Sequence, residues 1–315
     1  MLPPNTTPRL ICLGHATLDR SYVIGRFPPM PRKVKALHAF ANGGGMASSA
    51  AVAAARLGAR TSLWGRVGDD ADGLAIRQSL ESEGVATNGL RRIAGAVSAT
   101  SAVLIDAEGE RLLAHHDGEN LSVDPDFLPL GEVTGADAVL ADLRWQEGAL
   151  AMFAAARAAG VPTVLDADVS DLPDLLPLLR LTDYAVFSEG GLAEFADGPA
   201  LEALARVRVA GVRHAGVTLG SAGYLWLDAA GQPCRQPAIP VQPVDTNGAG
   251  DAFHGAFSWA IAGGLGDAQA VRLAVATAAL KCLHPGARAG LPRLPELQAF
   301  LGGLQPATAM EPAGP

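Results

Sequence analysis

The residues best suited to chemistry sit in one run, Val244-Asp245-Thr246-Asn247-Gly248-Ala249-Gly250-Asp251-Ala252-Phe253. A proline-punctuated apolar stretch, residues 239–244, reads as a strand entering a glycine-rich turn, and the turn opens a long alanine-rich helix. Glycine lets the backbone turn sharply and approach a ligand closely. The free amides of Gly248, Ala249 and Gly250 at the helix N-terminus, reinforced by the helix dipole, then make an anion site. Asp251 beside that site cannot ligate the anion, because like charges repel. As a base that takes the proton from an attacking hydroxyl it fits. The competing reading makes Asp245 a turn cap and Asp251 a first-turn acid complementing the dipole. Two acids bracketing Gly-Ala-Gly after a strand favour the chemical reading.

A second group stands apart in the chain. Arg144 follows a predicted buried strand at 138–141, at the end where ligands collect in open α/β sheets. Its guanidinium has the fork geometry for a carboxylate, phosphate or sulfonate, the alternative being a surface pair with Asp142 or Glu147. Lys33 lies between Arg32 and Lys35 in a stretch that reads as a lid. His115 and His116 beside Asp117 read as a polar strand end facing the pocket, since no further ligands stand at metal spacing. Trp64 and Trp145 read as packing residues.

The elements that must position these groups alternate. Strands are predicted at 10–13, 61–67, 138–141, 162–165, 184–187 and 215–219, and helices at 47–57, 70–83, 147–159, 172–179, 200–210, 250–262 and 268–283. This alternation predicts a mainly parallel sheet covered by helices on both faces. Short extended stretches at 22–24 and 34–40, with a hairpin flanking Asp106–Gly109, form a second, smaller unit. The expected organisation is a disordered stretch over 1–8, one domain over 9–304 with a lid from about 20–40 and 98–116, and a flexible tail over 305–315.

Composition narrows the classes. A net charge of −8 argues against a phosphate-backbone partner, so any anion must be held by local cations and amides. The three cysteines, Cys12, Cys234 and Cys282, form no CxxC pair, which suits a reducing compartment. No segment reads as a membrane span or signal peptide, and a cytoplasmic enzyme is the expectation. A dinucleotide-binding dehydrogenase would want GxGxxG after the first strand, which Gly14-His15-Ala16 does not supply. A non-catalytic sugar or nucleotide sensor would not need Asp251.

Asp-Thr-Asn-Gly-Ala-Gly-Asp resembles the C-terminal signature of the ribokinase-like (phosphofructokinase B) sugar kinases. Gly43-Gly44-Gly45 with Ser49 resembles that family's N-terminal signature. Gly65-Arg66-Val67-Gly68-Asp69-Asp70 and Val217-Thr218-Leu219-Gly220-Ser221-Ala222-Gly223 are similar to its intervening segments. The likeness implies a three-layer α/β/α sandwich with a small β lid, and γ-phosphate transfer from ATP to a sugar hydroxyl. Asp251 would be the base, with Gly248, Ala249 and Gly250 around the transferring group. Asp19, Gly44, Gly45 and Ser49 would line the sugar pocket. Ser188, Glu189, Thr218, Gly220, Gly223, Gly248, Gly250 and Cys282 would meet the nucleotide, and residues 277–283 would flank the adenine. ATP and Mg2+ are the implied cofactors. K+ is a further one, held where many members hold a monovalent cation, at Asp245 with carbonyls near Asn247, Lys281, His284 and Gly286. Ser188-Glu189-Gly190-Gly191 replaces an Asn-x-x-Glu element that organises magnesium, leaving Glu189 as a stand-in carboxylate. The lid implies a homodimer.

Residues 139–145, 185–189, 278–282 and 285–290 are similar to a narrower branch, the sulfofructose kinases, whose lid lysine, arginine and asparagine bind a sulfonate. Lys33 and Arg144 match the first two. His115 stands at the asparagine position, and Leu37 replaces a lid arginine. An anionic ketose such as 6-deoxy-6-sulfofructose is therefore the expected acceptor, with fructose, ribose, a keto-deoxy sugar acid or a nucleoside as alternatives.

Overall fold

The computed structural model describes residues 2–5, 7–170, 172, 174–304 and the backbone of 311–312. The chain begins with β1 (Arg9–Gly14), whose five residues after Arg9 are all buried. It then makes two lid strands, β2 (Thr17–Ile24) and β3 (Ala36–Gly44), before α1 (Met46–Arg56), β4 (Arg60–Gly68), α2 (Ala71–Ser82) and β5 (Leu90–Ile93). The hairpin β6 (Thr100–Ile105) and β7 (Arg111–His116) returns to the lid. Regular alternation follows through β8 (Ala138–Ala141), α3 (Gln146–Ala159), β9 (Thr163–Ala167), α4 (Leu176–Leu179), β10 (Tyr184–Ser188), α5 (Glu189–Phe195), α6 (Ala200–Val209) and β11 (His214–Thr218). Two antiparallel strands, β12 (Tyr224–Leu227) and β13 (Pro233–Gln236), precede α7 (Ala249–Ala262), α8 (Asp267–Cys282) and α9 (Leu294–Gly303), and β14 (Glu311–Pro312) pairs with β13.

The large sheet runs β14-β13-β12-β11-β10-β9-β8-β1-β4-β5 and is parallel from β11 to β5. Both faces are covered. One hydrophobic cluster packs α1, α7 and α8 on one side, and a second packs α3 and α6 on the other. This explains why the central strands read as unbroken apolar runs. From β1 the chain proceeds to β4 on one side, and from β8 to β9 on the other. The crevice at the C-terminal ends of β1 and β8 is thus the switch point where α/β sheets bind ligands.

The lid is a four-stranded sheet, β3-β2-β6-β7, whose register places Asn42, Asp19, Ser101 and His115 in one row. Its turn at 106–109 is closed by Asp106, which accepts from the amides of Glu108 and Glu110.

Several expectations change. Residues 239–244 form no strand, because Pro240 and Pro243 lack the amides that a ladder needs. Residues 172–179 shorten to the single turn of α4. β5, β12, β13, α5 and α9 were not legible, being short and lacking a clear period. Within the stretch expected to be disordered, Pro3 is buried against Gly263, and the Asn5 amide donates to the Gly263 carbonyl at 3.2 Å. The tail expected from 305 lies outside the described residues apart from β14.

The crossing of α1 over α7 positions the site, because α1 carries Ser49 and α7 carries Asp251. It is close only because residue 255 is glycine. A methyl group there would lie 2.7 Å from the Ala53 Cβ and nearer still to the Ala50 carbonyl. Gly255→Val is expected to destabilise the fold by about 1–3 kcal/mol through overpacking and to lower turnover by separating the two helices. Denaturant unfolding of the variant checks this, and an unchanged midpoint would contradict it.

Candidate active site

Gly248 starts α7 in the left-handed region at φ 78°, a conformation that costs other residues energy. The chain thereby reverses into α7: the Ala249 amide donates back to the Thr246 carbonyl at 3.2 Å, and Gly250 in the first helical turn lines the cleft. Asp251 follows in the first helical turn. Burial raises its carboxyl to about 7, with Asp142 and Asp168 pushing the same way and Arg288 and the Ser49 hydroxyl opposing. A carboxyl poised near neutrality can both accept a proton and release it.

Arg288 is the buried cation of this region. Its Nη2 donates to the Gly44 carbonyl at 3.0 Å and to the Ser48 hydroxyl at 2.7 Å. Burial lowers it to about 10, and Asp251, Asp19 and Glu83 hold it charged at neutral pH. Asp19, on β2, accepts from the Thr17 hydroxyl at 2.9 Å. Its carboxylate occupies the space a side chain at position 44 would need, which accounts for glycine at Gly44. Gly45 caps α1 at φ 93°, and Ser49 is buried one turn later. The di-glycine segment, Asp19, Ser49 and Asp251 therefore converge as expected.

The cationic corner lies beside them. His15 and His115 meet edge to face at 5.0 Å, and His115 bonds Ser101 at 3.1 Å and Asp117 at 3.0 Å. Burial lowers His15 to about 4, helped by His115 and Arg144, so it is neutral, and among the described residues its Nε2 has no hydrogen-bond partner. The Arg144 amide, not its guanidinium, bonds Asp142 at 3.0 Å. Among the described residues no carboxylate lies within salt-bridge distance of that exposed guanidinium. The ligand atoms of His15, His115 and Asp117 lie within 4.8 Å of one another. With Arg144 close by, the setting suits an anion better than a metal. Lys33 is exposed on the loop joining β2 to β3, and among the described residues nothing ties it to the cleft.

Beside the glycine loop is a cavity of ≈ 600 Å³ lined by Thr218, Gly220, Gly223, Gly250, Phe253 and Cys282. Its walls from α8, Val275, Ala278 and Ala279, are apolar, as a purine requires. Thr277 is not among them: it is fully buried and bonds the Leu273 carbonyl. Ser188 caps α5 by accepting from the Gly191 amide at 3.0 Å and donates to Asp168 at 2.6 Å. Glu189 is exposed.

At the expected monovalent-cation site the structure places a side chain as well as carbonyls. The Lys281 side chain is fully buried, and its Nζ, rather than its carbonyl, enters the site, donating to the Asp245 carbonyl at 2.8 Å and the His284 carbonyl at 3.5 Å. Burial works against charge on Asp245. Even so, the amides of Asn247 and Gly286, then Lys281 and Arg111, hold it below the usual carboxylate range.

Sequence reasoning missed Asp168, Arg288 as a buried cation, and Arg111. Asp166-x-Asp168 at the end of a predicted strand was a readable signal for Asp168. The other two depend on contacts more than 130 residues apart in the chain.

A profile described as pfkB family carbohydrate kinase matches residues 7–294. The chain is 30% identical to the ATP-dependent ribose-1-phosphate kinase of Halopiger xanaduensis, over 93% of this chain and 98% of that protein. It is 29% identical to the ribokinase of Arabidopsis thaliana, over 93% and 80%. A crystal structure described as a candidate ribokinase from Agrobacterium tumefaciens superposes with a TM-score of 0.89 at 36% identity, covering 94% of this chain and 98% of that one. Arabidopsis ribokinase complexed with ribose and ATP gives 0.82 at 28% identity, over 94% and 99%. The sandwich and lid are thus the ribokinase-like fold.

If Asp251 acts as the base, a carboxyl that titrates near 7 leaves a pH signature. Below its pKa Asp251 is protonated and cannot accept, so kcat/KM should fall about tenfold per pH unit below neutrality and level off above it. Asp251→Asn should lower kcat by about a hundred- to ten-thousand-fold with nucleotide binding retained. A flat profile from pH 5.5 to 8.5, or turnover within a few-fold in the variant, would exclude Asp251 as the base.

Proposed function

The chain belongs to the pfkB family of carbohydrate kinases and is an ATP-dependent sugar kinase, and we propose that its acceptor is a small sugar bearing an anionic group, such as 6-deoxy-6-sulfofructose. The observation that carries this reading is the Arg144 guanidinium, open to the cleft beside His15 and His115 with no carboxylate partner among the described residues. Such a fork is satisfied by a sulfonate, phosphate or carboxylate. A relative of similar identity is named for a phosphorylated acceptor, ribose 1-phosphate, which supports anionic acceptors. Neutral ribose is the second reading, favoured by the relatives named ribokinase.

The transfer is in-line, with no phosphoenzyme. The adenine lies against α8 in the apolar cavity, and the phosphates reach the amides of Gly248, Ala249 and Gly250. Asp19 and the Gly44–Gly45 segment hold the sugar hydroxyls, and Ser49 orients Asp251. Asp251 takes the proton of the attacking hydroxyl. Charge developing on the transferring phosphoryl group meets the α7 amides and its dipole. Asp168, backed by Ser188, offers hard oxygen donors facing the same cleft, and with Glu189 would hold Mg2+, which neutralises phosphate charge when bound. β2, β3, β6 and β7 close over the sugar to exclude water.

Leu37, Leu112 and Leu113, exposed by 62%, 59% and 54%, leave the lid apolar on its surface, and two copies pair through it. Leu112→Asp should convert a dimer to a monomer in light scattering; a monomeric wild type would refute the pairing.

Arg144→Ala should cut kcat/KM on the anionic sugar by about ten- to a hundred-fold and leave that on neutral ribose or fructose nearly unchanged. Wild-type preference for the neutral sugar, or equal losses on both, would replace the anionic reading with the ribose-like one.

A further inference from the structure

At the turn where Asp245 enters the glycine loop, the chain brings its own cation. We propose that the Lys281 ammonium is a built-in replacement for a diffusible monovalent ion, holding the glycine loop in its anion-binding form without potassium. This rests on the sugar-kinase reading only in naming what the loop does.

Lys281 lies in the last turn of α8 with its side chain fully buried. Its Nζ lies 2.8 Å from the Asp245 carbonyl, 3.5 Å from the His284 carbonyl and 3.6 Å from the Asp245 carboxylate. Main-chain carbonyls with one carboxylate are the oxygen set that hard cations choose, and an ammonium carries the same charge with directed hydrogen bonds. A lysine near a helix C-terminus also meets the negative end of the dipole.

The carboxylate is otherwise engaged. Oδ1 accepts from the Asn247 amide at 2.8 Å and pairs with Arg111 of β7, and Oδ2 accepts from the Gly286 amide at 2.7 Å. One carboxylate thus faces two protein cations, so a third positive charge would be repelled. Burial lowers the Lys281 pKa, and the Asp245 charge opposes this most strongly.

The ammonium ties together three segments that the site needs. Asp245 leads into the glycine turn. The Val244 and Asp245 amides bond the Cys282 carbonyl at 2.8 and 3.1 Å, anchoring the turn to α8. The segment through His284 and Gly286 delivers Arg288 to the sugar side. Lys281 is therefore a positioning residue: it touches neither substrate, and acts by fixing the loop whose amides do.

The test begins on wild type without sugar, by calorimetric titration with thallium(I) or potassium against a tetramethylammonium background. No saturable binding is expected, and turnover should agree within about two-fold in potassium, sodium and tetramethylammonium. Lys281→Ala empties the position. In tetramethylammonium its kcat should fall about ten- to a hundred-fold, and potassium or ammonium should restore it in a saturable way, matched by thallium binding. Lys281→Met, which fills the space without charge, should lose turnover and not be restored. Saturable thallium binding to wild type, several-fold potassium activation of wild type, or a folded Lys281→Ala whose turnover no cation changes would each overturn the proposal. Wild-type titrations remain decisive if the variants do not fold. Failure to phosphorylate any sugar would remove the kinase reading and leave the binding result readable.

Discussion

The site depends on one buried carboxylate. Asp142, at the end of β8, accepts from the His15 amide at 2.8 Å, from the Ala47 amide in the first turn of α1 at 3.0 Å, and from the Arg144 amide at 3.0 Å. It occupies the space beside Gly14, where a side chain could not fit. One group therefore fixes the exit of β1, the start of α1 and the loop bearing Arg144. Burial raises its pKa, and the three amide donors pull the other way. A charge without a counter-cation in contact survives there because backbone dipoles solvate it.

From that anchor the electrostatics of the cleft follow. Asp142, Asp166, Asp168 and Asp251 lie near enough to one another that Asp166 is driven well above its ordinary range, by burial first and then by Asp251. Asp166 is held to α7 by His254 at 3.1 Å, one turn beyond Asp251. Arg288 supplies the opposing charge from the far end of the chain. Asp251 is thus set near neutrality by a balance among groups on β8, β9, α1 and the segment after α8. Changing any of these groups shifts the Asp251 carboxyl.

The lid joins the same balance from above. Arg111 in β7 reaches Asp245, so the strand pair of the small sheet is bonded to the segment that leads into the glycine loop. Asp19, Ser101 and His115, aligned by strand register, present their polar atoms on the face that carries the pocket. A protein with a net charge of −8 handles an anionic nucleotide in this way, by concentrating a few cations and amides at one edge of the sheet.

Much of this was written in the chain order. The apolar runs at β1, β8 and β10 and the periodicity of α1, α3, α7 and α8 read correctly, because both faces of a parallel sheet must be apolar and helix period is local. The glycine loop was legible for the same reason: a turn, its amides and the acid after it are neighbours in sequence. Short edge strands such as β5 and β12 were not, since their hydrogen bonds are justified by partners elsewhere. By itself the sequence determined the layered architecture, the glycine turn that opens α7 and the acid beside it. Only the tertiary structure decided that Lys281 directs an ammonium, not a carbonyl, at Asp245, that Arg288 faces Asp251, and that Arg144 leaves Asp142 to its own amide. A side chain's charge can be read from sequence, but its partner depends on which distant segments packing brings together.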